Sequence, residues 1–218
     1  MDAEEITKKY PMDDLLTHRF PPIRWIERAR RNKLVEFVKE VDPHKIIVVL
    51  GCERGHTISD LHKAIGFNKS RFFGLDISQF ALDKAKERAI TEGYDGNSTF
   101  FMNDVNKICL KDNFADVVIC SNLLEHLEDP KKCFKESLRI LKPDGRLIVV
   151  VPFEKLVTFA KRCIKPFGLL GNLKVHTEGH IHKGSLKFLG EVAEGTNVDL
   201  EKVLVYPFIY IFAIFKKK

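Results

Sequence analysis

The sequence predicts an α/β fold: a doubly wound, mostly parallel seven-stranded sheet with a C-terminal antiparallel hairpin. Three observations carry this expectation. Short apolar runs recur along the 218-residue chain, each of strand length and bounded by turn residues. Segments of helical spacing separate most of the first five of them, and strands alternating with helices call for parallel pairing. The last two runs follow each other without a helix between them, which only antiparallel pairing allows.

The first element, Ile23 to Val41, spaces Ile26, Leu34, Phe37, Val38 and Val41 along one helical face, behind Pro21-Pro22 and ahead of Pro43. Residues 1–22 read as a cap over the sheet. Ile46 to Leu50 is the first strand, Thr57 to Ile65 a helix and Arg71 to Leu75 the second strand. Ser78 to Glu92 is a helix with Ser78 as N-cap and Gly93 as its stop. Thr99 to Met102 is the third strand, Asp116 to Cys120 the fourth and Arg146 to Val151 the fifth. A helix starts at Pro130, and Pro143-Asp144-Gly145 turns into the fifth strand. Residues 153–183 read as a part-helical insertion on the substrate side, Ser185 to Glu194 as a helix, and Leu200 to Tyr206 with Phe208 to Phe215 as the closing hairpin. The whole chain reads as one domain: cap and helix over 1–44, a cofactor-binding core over 45–152, the insertion over 153–183, and helix plus hairpin over 184–218.

Composition narrows the class. The net charge of +6 gathers in Arg24 to Lys33, Lys161 to Lys165 and Lys216 to Lys218. Solvated surface is favoured there over RNA or another anionic partner. Five cysteines, with no C-x-x-C pair and several in apolar runs, fit a reduced, cytoplasmic setting. The acidic start is unlike a signal peptide, and Val203 to Phe215, broken by Pro207, is too short to span a bilayer.

The stretch Phe114 to Pro130, with Leu138-Arg-Ile-Leu-Lys-Pro-Asp-Gly-Arg-Leu147 behind it, reads strand, loop, helix, turn, strand. In an open parallel sheet the ligand crevice lies at the carboxyl ends of the strands, which is where Ser121, Asn122, Glu125 and His126 fall. This stretch resembles the fourth motif and following segment of class I methyltransferases that use S-adenosylmethionine, in the subgroup acting mostly on small molecules. The resemblance covers about residues 45–190 and implies a Rossmann-like methyltransferase fold, an S-adenosylmethionine cofactor and an S-adenosylhomocysteine product. It also implies a small-molecule methyl acceptor of unspecified identity.

The resemblance assigns cofactor positions to Gly51, Cys52, Glu53, Gly55, Asp76, Ile77, Asp104, Val105, Ser121 and Asn122. Asp76 is placed to accept from both ribose hydroxyls, and Asp104 from the adenine amino group. The glycine loop departs from the family: Val49 stands where an acid is usual, and Glu53 where the middle glycine is. Glu53 either takes over the missing acid's contact with the cofactor's ammonium or repels its carboxylate and blocks the pocket. Two histidines are candidate bases, His126 beside Glu125 and His180 in Gly179-His180-Ile181-His182. His176, Glu178, His180 and His182 have a spacing a metal would tolerate, but no companion pattern supports one, and none is expected. The fourth motif lacks the sequences of exocyclic-amine and pyrimidine-carbon methyltransferases. The expectation is therefore O-, N- or C-methylation of a small or lipid-like molecule, with Phe153, Phe159 and Phe167 near the acceptor. Two alternatives stay open: a non-catalytic binding or scaffolding protein with a degenerate glycine loop, and a nucleotide-binding oxidoreductase, since a ribose acid after the second strand serves both cofactors.

Overall fold

A computed structural model describes residues 21–40, 45–66, 70–153, 158 and 180–218. Residues 1–20 of the cap expected over 1–22, most of the 153–183 insertion, and with them Phe159, Cys163, Phe167, His176, Glu178 and Lys161 to Lys165, lie outside the described residues.

Helix α1 (Pro21–Lys39) leads into β1 (Ile46–Leu50), α2 (His56–Ile65), β2 (Arg71–Asp76), α3 (Gln79–Glu92), β3 (Ser98–Met102), β4 (Ala115–Ser121), α4 (Pro130–Ile140), β5 (Leu141–Pro152), α5 (Leu186–Ala193), β6 (Val198–Val205) and β7 (Tyr210–Lys217). The sheet order is β3-β2-β1-β4-β5-β7-β6. The first five strands pair in parallel, and β7 runs antiparallel to both β5 and β6. The order reverses between β1 and β4, and that reversal opens the crevice in doubly wound sheets.

Local chemistry explains the element ends. Ser78 Oγ accepts from the Ala81 amide at the start of α3, and Gly93, at φ 75°, ends that helix. Asp129 caps α4 through the Lys132 amide, with Pro130 in the first turn, and Ser185 caps α5 through the Phe188 amide. The central strands of the sheet are buried on both faces. One layer packs Val48, Val118, Val149 and Ala213 against Phe134, Leu138 and Phe188; the other packs Val49, Ile119, Val150 and Phe212 against Leu34, Phe37, Ile58 and Leu82. Alternate residues of the central strands thus serve opposite cores, which is why those strands read as unbroken apolar runs.

One expectation is revised. Pro143-Asp144-Gly145 was expected as a turn ahead of the fifth strand, but β5 already begins at Leu141, which pairs with Ala115; the register shifts before Arg146 pairs with Val117. The three residues therefore bulge inside the strand, with Asp144 at φ 61°. A Cβ on Gly145 would lie 2.8 Å from the Lys142 carbonyl, so the bulge admits only glycine. The charged tail is tied down: Lys216 pairs with Asp144, Lys218 with Asp199, and Lys217 donates to Asn113 and the Leu141 carbonyl. No described helix is long and apolar enough to cross a membrane.

Candidate active site

The loop after β1 is a left-handed turn in three steps, with Gly51 at φ 61°, Glu53 at φ 47° and Gly55 at φ 77°. A Cβ on Gly51 would stand 3.2 Å from a Leu123 methyl, and one on Gly55 3.1 Å from the Ala85 Cβ. These two glycines thus meet both a conformational and a steric demand, whereas Glu53 carries a side chain at an angle where L-residues are uncommon. Cys52 is buried and its amide donates to the Leu75 carbonyl, pinning the loop to β2.

Asp76, at the carboxyl end of β2, fastens the same loop. Its Oδ2 accepts from the Glu53 amide at 2.8 Å and its Oδ1 from the Ser78 amide at 2.9 Å. Burial raises the Asp76 pKa, and these backbone donors oppose the rise. Each carboxylate oxygen keeps capacity for a second hydrogen bond. Ile77 and Met102 expose 59% and 61% of their surface beside it, leaving apolar area at the ends of β2 and β3. Asp104 is exposed and its Oδ1 is taken up locally by the Asn106 amide, while Val105 next to it is buried.

Across the reversal point, Ser121 closes β4, and Asn122 turns the chain away at φ 52° with its amide on the Val150 carbonyl. Asn122 Oδ1 is buried and has no hydrogen-bond partner among the described residues. Ser121 does have one, and the sequence reading missed it. Arg30 of α1 donates to Ser121 Oγ at 2.7 Å and, through Nε and Nη2, to Glu27 Oε2 at 3.1 and 3.0 Å. The Tyr210 hydroxyl donates to the other Glu27 oxygen, and the Arg30 guanidinium lies 5.3 Å from the Tyr210 ring centre. Burial disfavours the Arg30 cation, but Glu27, Tyr210 and Glu53 together outweigh it and the net shift is upward. A signal for this network was available: Glu27 and Arg30 sit at helical spacing on the stripe that carries Leu34, Phe37 and Val38.

Glu53 faces this network. Burial, then Asp76, push its pKa up to about 7, with Arg30 pulling the other way and Glu27 adding to the rise. A cavity of about 30 Å³ lies among Glu27, Arg30, Gly51, Glu53, His56 and Ser121.

The two candidate bases meet, although 54 residues separate them. His126 ends a 3-10 turn, Leu124–His126, and its ring centre is 4.7 Å from that of His180, edge to face. The Glu125 carbonyl accepts from both the Ile181 and His182 amides, at 2.8 and 3.0 Å, and His182 Nε2 lies 3.1 Å from the Leu127 carbonyl while its ring stacks on Phe188. Glu125 itself is fully buried.

A model of the methyltransferase domain family matches residues 48–149, the span from β1 through β5 that holds the glycine loop, Asp76, Asp104 and the Glu125–His126 turn. Over this span the chain carries a methyltransferase domain of the class I type. This family's methyl donor is S-adenosylmethionine. Among curated relatives, the methyltransferase chain is 23% identical over 148 residues to a demethylmenaquinone methyltransferase of Bacteroides fragilis, covering 65% of this chain and 59% of that one. It is 29% identical over 114 residues to a ubiquinone/menaquinone biosynthesis C-methyltransferase of Azotobacter vinelandii, covering 48% and 45%. The chain thus spans less than two thirds of the length of these relatives. Its fold matches that of a putative methyltransferase solved with the Trm112 activator of Haloferax volcanii, with TM-score 0.72, 17% identity and coverage of 99% and 98%. It also matches geranyl diphosphate methyltransferase solved with S-adenosylmethionine, with TM-score 0.69, 14% identity and coverage of 90% and 87%.

Proposed function

We propose that this chain transfers a methyl group from S-adenosylmethionine to an O, N or C atom of a small, partly apolar acceptor. The observation that carries the reading is the Asp76 carboxylate, held by amides of the glycine loop and of Ser78 at the sheet's reversal point, with acceptor capacity left on both oxygens. When bound, the donor supplies an activated methyl on a sulfonium, so the protein's task is alignment more than activation.

In this reading Asp76 takes the ribose hydroxyls, and Ile77 and Met102 flank the adenine with Asp104 and Val105 at its edge. Gly51, Cys52 and Gly55 admit the methionine portion close to the backbone, and Asn122 Oδ1 gains a donor that it lacks among the described residues. Arg30 and Glu53 offer opposite charges to the carboxylate and ammonium of that portion. His126 and His180 meet the acceptor's protic group; alanine at either is expected to cut turnover about 10²–10⁴-fold with cofactor affinity near wild type, checked by steady-state kinetics with parallel calorimetry. An apolar acceptor is supported by Ile181 and Phe208, exposed by 57% and 73% at the carboxyl end of the sheet, and by the quinone substrates named for two relatives.

A second reading, a binding protein that has lost the donor, rests on the small cavity at the glycine loop and on Arg30 spanning to Ser121. Titration with adenosylmethionine, adenosylhomocysteine and NAD separates these readings and the oxidoreductase alternative; adenosylhomocysteine is expected at micromolar affinity or better, about 8 kcal/mol. Glu53 gives the sharper test. It ionises as pH rises through about 7, and if its anion holds the ammonium, affinity at pH 6 should be roughly tenfold weaker than at pH 8. Glu53→Gln should flatten that profile, and Glu53→Gly should lose roughly 1.5–3 kcal/mol. Tighter binding by Glu53→Gly would instead identify a blocked pocket.

A further inference from the structure

The side chains of Glu125, His126 and His180 converge so that one ligand atom from each lies within 4.8 Å of the other two. From this convergence we infer a binding site for a divalent transition-metal ion of borderline softness, of the Zn²⁺ or Co²⁺ kind. One carboxylate and two imidazoles are the donors such ions select, whereas Mg²⁺ and Ca²⁺ favour oxygen alone. The set leaves a coordination position open, as catalytic zinc sites with two histidines and one glutamate do.

The distances fit a site a short way from closure. Around an ion with bonds of ~2.0–2.2 Å, tetrahedral ligands stand about 3.3–3.6 Å apart, so contraction from 4.8 Å asks for a shift of about 1 Å. Rotation of the exposed His126 and the half-buried His180 can supply it without moving backbone. The backbone is in fact pinned. The Glu125 carbonyl holds the two amides that follow His180, and the Leu127 carbonyl lies against the His182 ring. The loop bringing in the distant histidine is thereby fastened to the turn carrying the other two ligands, the kind of support that fixes ligand orientation at metal sites.

Charge favours the same assignment. The Glu125 side chain is wholly withdrawn from water. A buried carboxylate gains most from a partner of concentrated positive charge. The site lies four residues beyond Ser121, at the same crevice, so an ion there lowers the pKa of an acceptor hydroxyl brought to its open position. That deepens the proposed function by narrowing the acceptor to one bearing an oxygen ligand, and it makes His126 and His180 ligands in place of free bases.

The test uses untagged full-length chain stripped with a chelator and dialysed, titrated with Zn²⁺, Co²⁺ and Mg²⁺, with adenosylhomocysteine binding measured in parallel. One Zn²⁺ per chain at micromolar affinity or tighter is expected, with the visible absorption of four- or five-coordinate Co²⁺ and no binding of Mg²⁺. His180→Ala and Glu125→Gln should each weaken Zn²⁺ by at least the 10–100-fold that loss of a mere supporting partner costs. Because Glu125 is buried, His126→Ala at an exposed position provides the variant that keeps the fold, and the same loss is expected of it. Substoichiometric Zn²⁺, or binding unchanged in the histidine variants, would overturn the site. Zn²⁺ uptake by a chain that ignores adenosylhomocysteine would sink the methyl-transfer reading and leave the metal site standing; the reverse result would do the opposite.

Discussion

Asp76→Ala should bind adenosylhomocysteine about 30–150-fold more weakly, a loss of ~2–3 kcal/mol, and should also unfold more readily. Both effects have one origin. The carboxylate is a double acceptor twice over: inward, it satisfies the amides of Glu53 and Ser78; outward, in the proposed function, it takes the ribose. Alanine strands two amide donors, each costing about 1–3 kcal/mol if water cannot reach it, so a stability loss of about 2–4 kcal/mol is expected. A third consequence concerns Glu53. Asp76 is, after burial, the main reason its pKa stands near 7, so the variant should move the pH dependence of its residual affinity toward the ordinary carboxylate range. Calorimetry across pH with chemical denaturation reads all three, and an unchanged dissociation constant would remove Asp76 from the cofactor site.

Arg30→Met should be the most destabilising single change at the crevice. Arg30 is 2% exposed and Glu27 4%, and the pair is joined to Ser121 and Tyr210 by hydrogen bonds. Removing the cation strips the buried Glu27 carboxylate of its guanidinium partner, and breaking a buried pair in this way typically costs about 3–5 kcal/mol. For a chain of this size that corresponds to a fall in Tm of roughly 6–20 °C. The double change Glu27→Leu with Arg30→Met should recover most of the loss, because it removes the buried carboxylate along with its guanidinium partner. A single variant within ~1 kcal/mol of wild type would mean that water reaches Glu27, and the network would then not be sealed.

The sheet was legible in the sequence because its two cores demand apolar residues at consecutive strand positions, and because Ser78, Gly93 and Pro130 mark element ends by their own chemistry. The parallel order followed from the alternation. The Pro143–Gly145 bulge was not legible, since the same three residues make a turn or a bulge according to which strand lies alongside. At the site, Gly51, Gly55 and Asp76 were singled out from the resemblance and from their places after strands, and the structure gives the glycines positive φ and Asp76 two backbone amides. Glu27, Arg30 and Tyr210 were missed because apolar positions were sought on α1 and the charged members of the same stripe were passed over. His126 and His180 were each singled out, but as alternatives; their meeting depends on the loop ending at His182 docking onto the Glu125 carbonyl, a contact that no local spacing encodes. Glu53 was recognised as the departure from its family, and what the fold adds is the company it keeps.

The placement of β7 between β5 and β6 has a consequence for how the molecule comes into being. Among the described residues, strand β6 pairs only with β7, and the edge of β5 away from β4, carrying the buried run Ile148 to Val151, is covered only by β7. During synthesis, therefore, residues 46–152 can assemble five parallel strands while one flank remains an unpaired apolar edge, and β6 emerges before anything exists for it to join. The nascent chain passes through an interval in which edge-to-edge association with another such chain competes with its own completion, and that interval closes only when residues 210–217 slot between two strands already made. Ribosome-bound intermediates halted just before Tyr210 are where chaperone dependence should be greatest.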